Sequence, residues 1–203
     1  MDSLSLDVPE KCGVMLLSGT PLFPHSSMDL HIFEPRYRQM LSETLQDTWM
    51  FAIANLVAPE ELPYEDCVAP IGTIVLINSS RTLPDGRSAL VVTGIYPVKF
   101  DSWIDDAPYP TAKISILERE EIRNTQESSI KSLILDYTED QLANVPPDVK
   151  DSVMNSLREM STMTALIDNV SHNFVGDSDL RNELMIEMRD EVRASKLIKA
   201  ISN

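Results

Sequence analysis

Leu22-Phe23-Pro24-His25-Ser26-Ser27-Met28-Asp29-Leu30-His31-Ile32-Phe33-Glu34-Pro35-Arg36-Tyr37-Arg38-Gln39-Met40-Leu41 is the stretch on which the fold of this 203-residue chain turns. Pro24 ends the apolar pair Leu22 and Phe23. Alternation over Leu30, His31, Ile32 and Phe33 then predicts a half-buried strand. Pro35 suits the first turn of a helix, where its missing N–H costs nothing and its fixed φ helps. Glu34 sets a carboxylate near the positive end of that helix. Tyr37, Met40, Leu41 and Leu45 form one stripe facing a core. The stretch is a strand running into an amphipathic helix.

Outward from it, residues 14–17 read as a first strand, and Gly19-Thr20-Pro21 turns the chain. Residues 49–57 are a strand rich in bulky apolar groups, and Pro59-Glu60-Glu61-Leu62-Pro63 is an exposed loop. Residues 71–77 are apolar on both faces, as in a buried strand. In Leu83-Pro84-Asp85-Gly86-Arg87, Pro84 presets φ and Gly86 accepts a positive φ, so this is a turn. Residues 89–93 return as the partner strand, Gly94 and Pro97 predict a bulge or bend, and residues 109–117 supply a last strand.

Beyond Glu118-Arg119-Glu120-Glu121 the period changes to that of helices. Thr125 is a candidate N-cap for a stripe of Ile130, Leu133, Ile134 and Tyr137. Pro146-Pro147 ends that helix, and Asp148 starts another facing inward through Val149, Val153, Leu157 and Met160. Met163, Leu166, Ile167, Val170 and Phe174 make a third, stopped by Gly176. Ser178 caps the last, which buries Leu184, Met188, Val192 and Ile198. The expected organisation is a flexible leader over 1–13, a curled, mostly antiparallel β domain with one helix over 14–120, and about four helices over 121–203. This is an α+β chain.

Phe23-Pro24 and the run from Leu30 to Leu41 resemble the opening signature of the Lon protease N-terminal, or substrate-binding, domain. Gly72-Thr73, Pro84-Asp85-Gly86, Gly94 and Pro108-Tyr109 follow in family order. Arg181-Asn182-Glu183-Leu184-Met185, with Arg193 beyond, is similar to the end of that domain. The family often carries a glycine in the loop after Phe23-Pro24, where this chain has His25-Ser26-Ser27. The resemblance implies a PUA-like pseudo-barrel followed by a helical bundle. The expected form is a free-standing domain, since the ATPase and serine–lysine protease parts that the family's full proteases need are not found in these 203 residues.

The formal net charge is −15, with residues 1–117 holding 7 basic and 15 acidic side chains and residues 118–203 holding 10 and 17. No basic domain hides in that total, so nucleic acid and anionic membranes are disfavoured as partners. Cys12 and Cys67 are far apart and form no Cys-x-x-Cys, which argues against a disulfide framework or zinc site and fits a reducing cytoplasm. The longest apolar run, residues 49–58, contains Asn55 and is half of the roughly 20 residues a membrane span needs.

No catalytic constellation emerges, and no metal site or cofactor is expected. No Gly-Lys pair occurs, so a phosphate-cradling Walker loop is not built. Ser195 and Lys196 are neighbours on a helix and point apart. His25, His31 and His172 share no metal-ligand spacing, and His31 reads as a packing residue of its strand. Glu34, Pro35, Arg36, Tyr37, Gly72, Asp85 and Gly86 carry the signature and read as structural, Glu34 and Arg36 fixing the strand–helix entry angle. Phe23, His25 and Met28 are the candidate peptide-binding residues, and exposed methionines among Met154, Met160, Met163, Met185 and Met188 would add an adaptable apolar surface.

The expected function is non-enzymatic binding of polypeptide, including unfolded or client proteins destined for proteolysis, with a separate protease as a further partner. The alternative is an adaptor docking one dedicated folded protein, as the Lon-like domain of cereblon does.

Overall fold

The computed structural model describes residues 7–19, 21–122 and 126–202. Residues 1–6 of the leader and the expected cap Thr125 lie outside them. The chain divides into two compact units. The first holds the described residues up to Leu22 together with Ser27–Leu117, and the second holds Phe23–Ser26 with those from Glu118 onward.

The first unit contains β1 (Lys11–Ser18), β2 (Ser27–Ile32), α1 (Pro35–Thr44), β3 (Met50–Leu56), the single turn α2 (Tyr64–Cys67), β4 (Ile71–Thr82), β5 (Ser88–Ile104) and β6 (Thr111–Ile116). The strand order is β2-β5-β4-β3-β1-β6, and β5 also pairs with β6, so five strands close on themselves while β2 extends the first half of β5. All pairs are antiparallel except β1 with β3. β1 starts at Lys11, three residues earlier than its apolar run suggests, because Lys11, Cys12 and Gly13 pair with β6.

Two apolar clusters explain why these strands are apolar on both faces. Successive side chains of a strand point to opposite sides. Val14 and Leu16 of β1, Ala52 and Ala54 of β3 and Ile74 of β4 fill one cluster. Their neighbours Met15, Phe51, Ile53, Val75 and Ile77 fill the other, where Tyr37, Met40 and Leu41 of α1 join them. A helix on the outside of a closed sheet needs two cores, and the strands supply both.

β5 is one 17-residue strand carrying two devices that bend it. The register against β4 skips Ile95, beside the expected bend at Gly94, and the register against β6 skips Asp101.

The second unit contains α3 (Glu127–Gln141), α4 (Pro147–Arg158), α5 (Met163–Phe174), α6 (Ser178–Ile186) and α7 (Asp190–Ile201). Its described residues thus hold five helices where four were expected. The predicted last helix is two, broken at 187–189. There the chain turns extended, Glu120 N–H donates to Met188 O, and Asp190 N–H donates to Glu120 O. Asp177, not Ser178, caps α6 by accepting from Leu180 N–H at 2.8 Å. α5 ends before Gly176, and its start is capped by Thr162. Leu133 and Val149, assigned inward, are exposed, while Thr138 and Met154 are buried.

α7 buries Asp190, Arg193, Ala194, Leu197 and Ile201, a stripe that includes two charges. Arg193 Nη1 donates to Asp190 Oδ1 at 2.7 Å, Nη2 donates to Asp168 Oδ1, and Nε donates to Leu184 O at 3.0 Å. Arg119 donates to the carbonyls of Met185 and Glu187. Helix α6 leaves its last carbonyls without helical donors, and two buried arginines supply them. Burial, followed by the neighbouring Arg193, pushes the Arg119 guanidinium down to about 10.

Candidate functional site: an aromatic groove in the first unit

A groove of about 350 Å³ is lined by Arg36, Tyr64, Trp103, Ile104, Asp105, Ala107, Pro108, Tyr109 and Pro110. Its wall depends on the bulge at Asp101. In a regular strand Phe100 and Trp103, three apart, would face opposite sides. The extra residue brings them to one side, stacked with centroids 5.1 Å apart and planes 24° from parallel. Tyr64 of α2 packs against Trp103 at 4.7 Å. Gly72 makes room for this ladder, since a Cβ there would overlap Ile53 O and lie 2.7 Å from the Phe100 ring. Tyr64, Trp103 and Tyr109 remain half-buried, so part of each ring faces the groove.

The polar side of the groove is set by the strand–helix turn. Glu34 is the N-cap residue of α1 and Pro35 its first residue, but the Glu34 carboxylate does not cap. It accepts instead from Arg36 Nε at 2.9 Å. The rest of the guanidinium forks onto both carboxylate oxygens of Glu60, in the loop read as merely exposed. Hydrogen bonding to Glu60 holds Arg36 above its ordinary range. Its guanidinium also lies 4.6 Å from the centroid of the Tyr37 ring. Tyr37 is buried, and its oxygen accepts from Leu16 N–H at 3.1 Å. Burial pushes the Tyr37 phenol up to about 12. At the far rim Tyr109 Oη donates to Glu43, and burial together with that bond raises the phenol to about 12.

With both carboxylates engaged, Arg36 is neutralised, and what the groove offers is ring faces and proline edges beside acidic loops. Concave aromatic surface of this kind suits apolar side chains of a polypeptide.

A family model described as the ATP-dependent protease La (LON) substrate-binding domain matches residues 11–203. The chain belongs to that family. It is 20% identical to the Lon protease of Dictyoglomus thermophilum over 151 residues, which cover 74% of this chain and 19% of that protein. Similarity to "Lon protease homolog 2, peroxisomal" of Xenopus laevis is 23% over 210 residues, covering 96% of this chain and 24% of that one. The chain thus spans about a fifth to a quarter of the length of these curated relatives. Among solved structures, the N-terminal domain of Mycobacterium avium complex Lon protease shares the fold with a TM-score of 0.76 at 13% identity, covering 95% of this chain and 98% of that one. The Lon N-terminal domain protein from Xanthomonas campestris gives 0.67 at 15%, covering 93% and 97%.

Within this Lon substrate-binding domain the sequence-derived candidates fall in different places. Phe23 is fully buried in the second unit, its ring edge-on to His172 at 6.4 Å, so it presents no ligand surface there. His25 is exposed in the same unit at φ +58, the left-handed region that glycine tolerates best, and its carbonyl accepts from Asn169. Met28 belongs to the first unit and packs half-buried against the cluster beneath α1. His31, expected to pack, is exposed beside Phe33, itself 60% exposed. Glu34, Pro35, Arg36 and Tyr37 meet at the turn described above. Asp85 accepts from Arg87 N–H and Nε in the β4–β5 turn, where Gly86 takes φ +80.

Tyr64, Trp103 and Pro108–Pro110 were not singled out as a site by sequence. The one signal that could have pointed there is Pro108-Tyr109, which sits in the family's motif order. Among the described residues no group of three or more His, Cys, Asp or Glu side chains has metal-binding geometry, and no helix is long and apolar enough to cross a membrane.

Proposed function

We propose that this chain is a non-enzymatic polypeptide-binding module, and that the aromatic groove between α1, α2 and the Trp103 end of β5 receives apolar side chains of the bound polypeptide. The observation that carries the reading is the match of the Lon substrate-binding family over residues 11–203. The groove supplies the physical means: half-exposed tyrosine and tryptophan rings, rigid on their scaffold, of the kind that anchor polypeptide at low entropic cost. The closed β unit is read as PUA-like, and its ligands as unfolded or client proteins that a separate protease degrades. The charge of −15 disfavours nucleic acid and anionic membrane as partners of a cytoplasmic protein.

Fluorescence anisotropy with labelled, permanently unfolded polypeptides and a folded control tests this at two salt concentrations. Binding confined to the unfolded chains and little changed by salt supports the reading. Equal binding of the folded control, or affinity that collapses with salt, contradicts it.

A further inference from the structure

A second groove of the first unit, about 430 Å³, lies between α1 and the β4–β5 turn; Arg38, Gln39, Ser42, Leu45, Thr82 and Ser88 are among its lining residues. Arg38 differs from its neighbour Arg36. Where Arg36 is held by two glutamates, the Arg38 guanidinium has no ion pair or hydrogen bond among the described residues, in a chain with 32 acidic side chains. The carboxylate that comes closest in sequence on the facing turn, Asp85, is already taken by Arg87. Gly86 leaves room for the guanidinium: a Cβ at that position would overlap Arg38 Nη2 and lie 3.1 Å from Cζ. The absence of a side chain at Gly86 lets Arg38 lie across the turn.

The lining of this groove holds one cation and no carboxylate. Three further grooves of this unit mix the two signs, with Lys11 beside Glu43, Asp47 and Asp106, Arg36 beside Asp105, and Lys113 beside Glu10 and Asp101. The same lining carries Ser42, Thr82 and Ser88, with half-buried Leu45 as its apolar part. A planar fork with free donors matches a carboxylate, and hydroxyls complete the shell of such a group. Leu45 then meets the side chain attached to it. An acidic segment would meet the repulsion of the −15 chain over its whole length. A C-terminus brings a single charge and places its last side chain next to it.

We propose that Arg38 anchors the free C-terminal carboxylate of a bound polypeptide whose last side chain is apolar and packs against Leu45. This rests on the polypeptide-binding reading and assigns it a chain-end site apart from the aromatic groove.

The test uses one labelled peptide ending in Leu, as the free acid and as the C-terminal amide, with a permanently unfolded polypeptide measured alongside. The free acid is expected to bind about tenfold tighter than the amide, the range of a charged hydrogen-bonded pair at a partly exposed site. Arg38→Gln should abolish that ratio and leave thermal melting unchanged, and Arg38→Lys should restore only part of it. Equal binding of acid and amide, or a ratio that survives Arg38→Gln, overturns the proposal. If neither peptide binds while the unfolded polypeptide does, the chain-end site alone falls. If nothing binds, the polypeptide-binding reading falls with it.

Discussion

Arg193 sits at 0% exposure with a carboxylate on each side and a helix-end carbonyl on its third nitrogen. Replacing it leaves Asp168 and Asp190 buried with one guanidinium fewer, and breaking such a buried pair costs about 3–5 kcal/mol. Arg193→Met should therefore lose stability of that order in urea unfolding, while a loss under about 1 kcal/mol would mean that water screens the network. Tyr37 makes a pH-dependent contribution of determinable sign. Its phenol is raised to about 12 by burial, whereas an unfolded tyrosine titrates near about 10. Between those values the unfolded chain has released a proton that the folded one keeps, so stability falls as pH rises through that window. Denaturant midpoints measured across it should drop in the wild-type chain, and the drop should shrink in Tyr37→Phe. Neither role was legible beforehand in full. Tyr37 was recognisable as a core residue from its spacing, but Arg193 was named only within the family's closing motif and its buried pairing with Asp190 was missed, because charges on a helix normally read as its solvated face.

At the scale of elements, strands and the first helix were legible where one residue type decides the matter. Pro35 starts α1, and the two-faced apolar runs of β3 and β4 follow from a sheet with a core on each side. The α6–α7 break was hidden because no glycine or proline marks 187–189; a bridge to Glu120, remote in sequence, makes it. The aromatic ladder was hidden for a similar reason. Phe100 and Trp103 share a side only because the register slips at Asp101, and no local signal announces that slip. Gly72 connects the family signature to this ladder. Gly72→Ala would force a methyl onto Ile53 O and the Phe100 ring, and overpacking of this sort costs about 1–3 kcal/mol. The variant should be less stable by that amount and should shift Trp103 emission; an unchanged melt would show that the strand yields freely there.

Taken whole, the chain pairs a closed β unit with a helical one, and the acidic surface leaves ring-lined and leucine-lined grooves on the β unit as its uncommon features. Fold and family were both legible because the strand–helix stretch is specific. The site was not, because its residues come from α1, α2 and β5 and meet only after the sheet closes. The claim that polypeptide occupies the aromatic groove is tested most directly through Trp103, one of two tryptophans. In Trp49→Phe it is the sole indole reporter, and titration with a tryptophan-free unfolded polypeptide should shift its emission to shorter wavelength, saturating in step with anisotropy. Saturable binding that leaves Trp103 emission unmoved, or no binding at high protein concentration, would contradict the account; the second result would favour an adaptor for one folded partner.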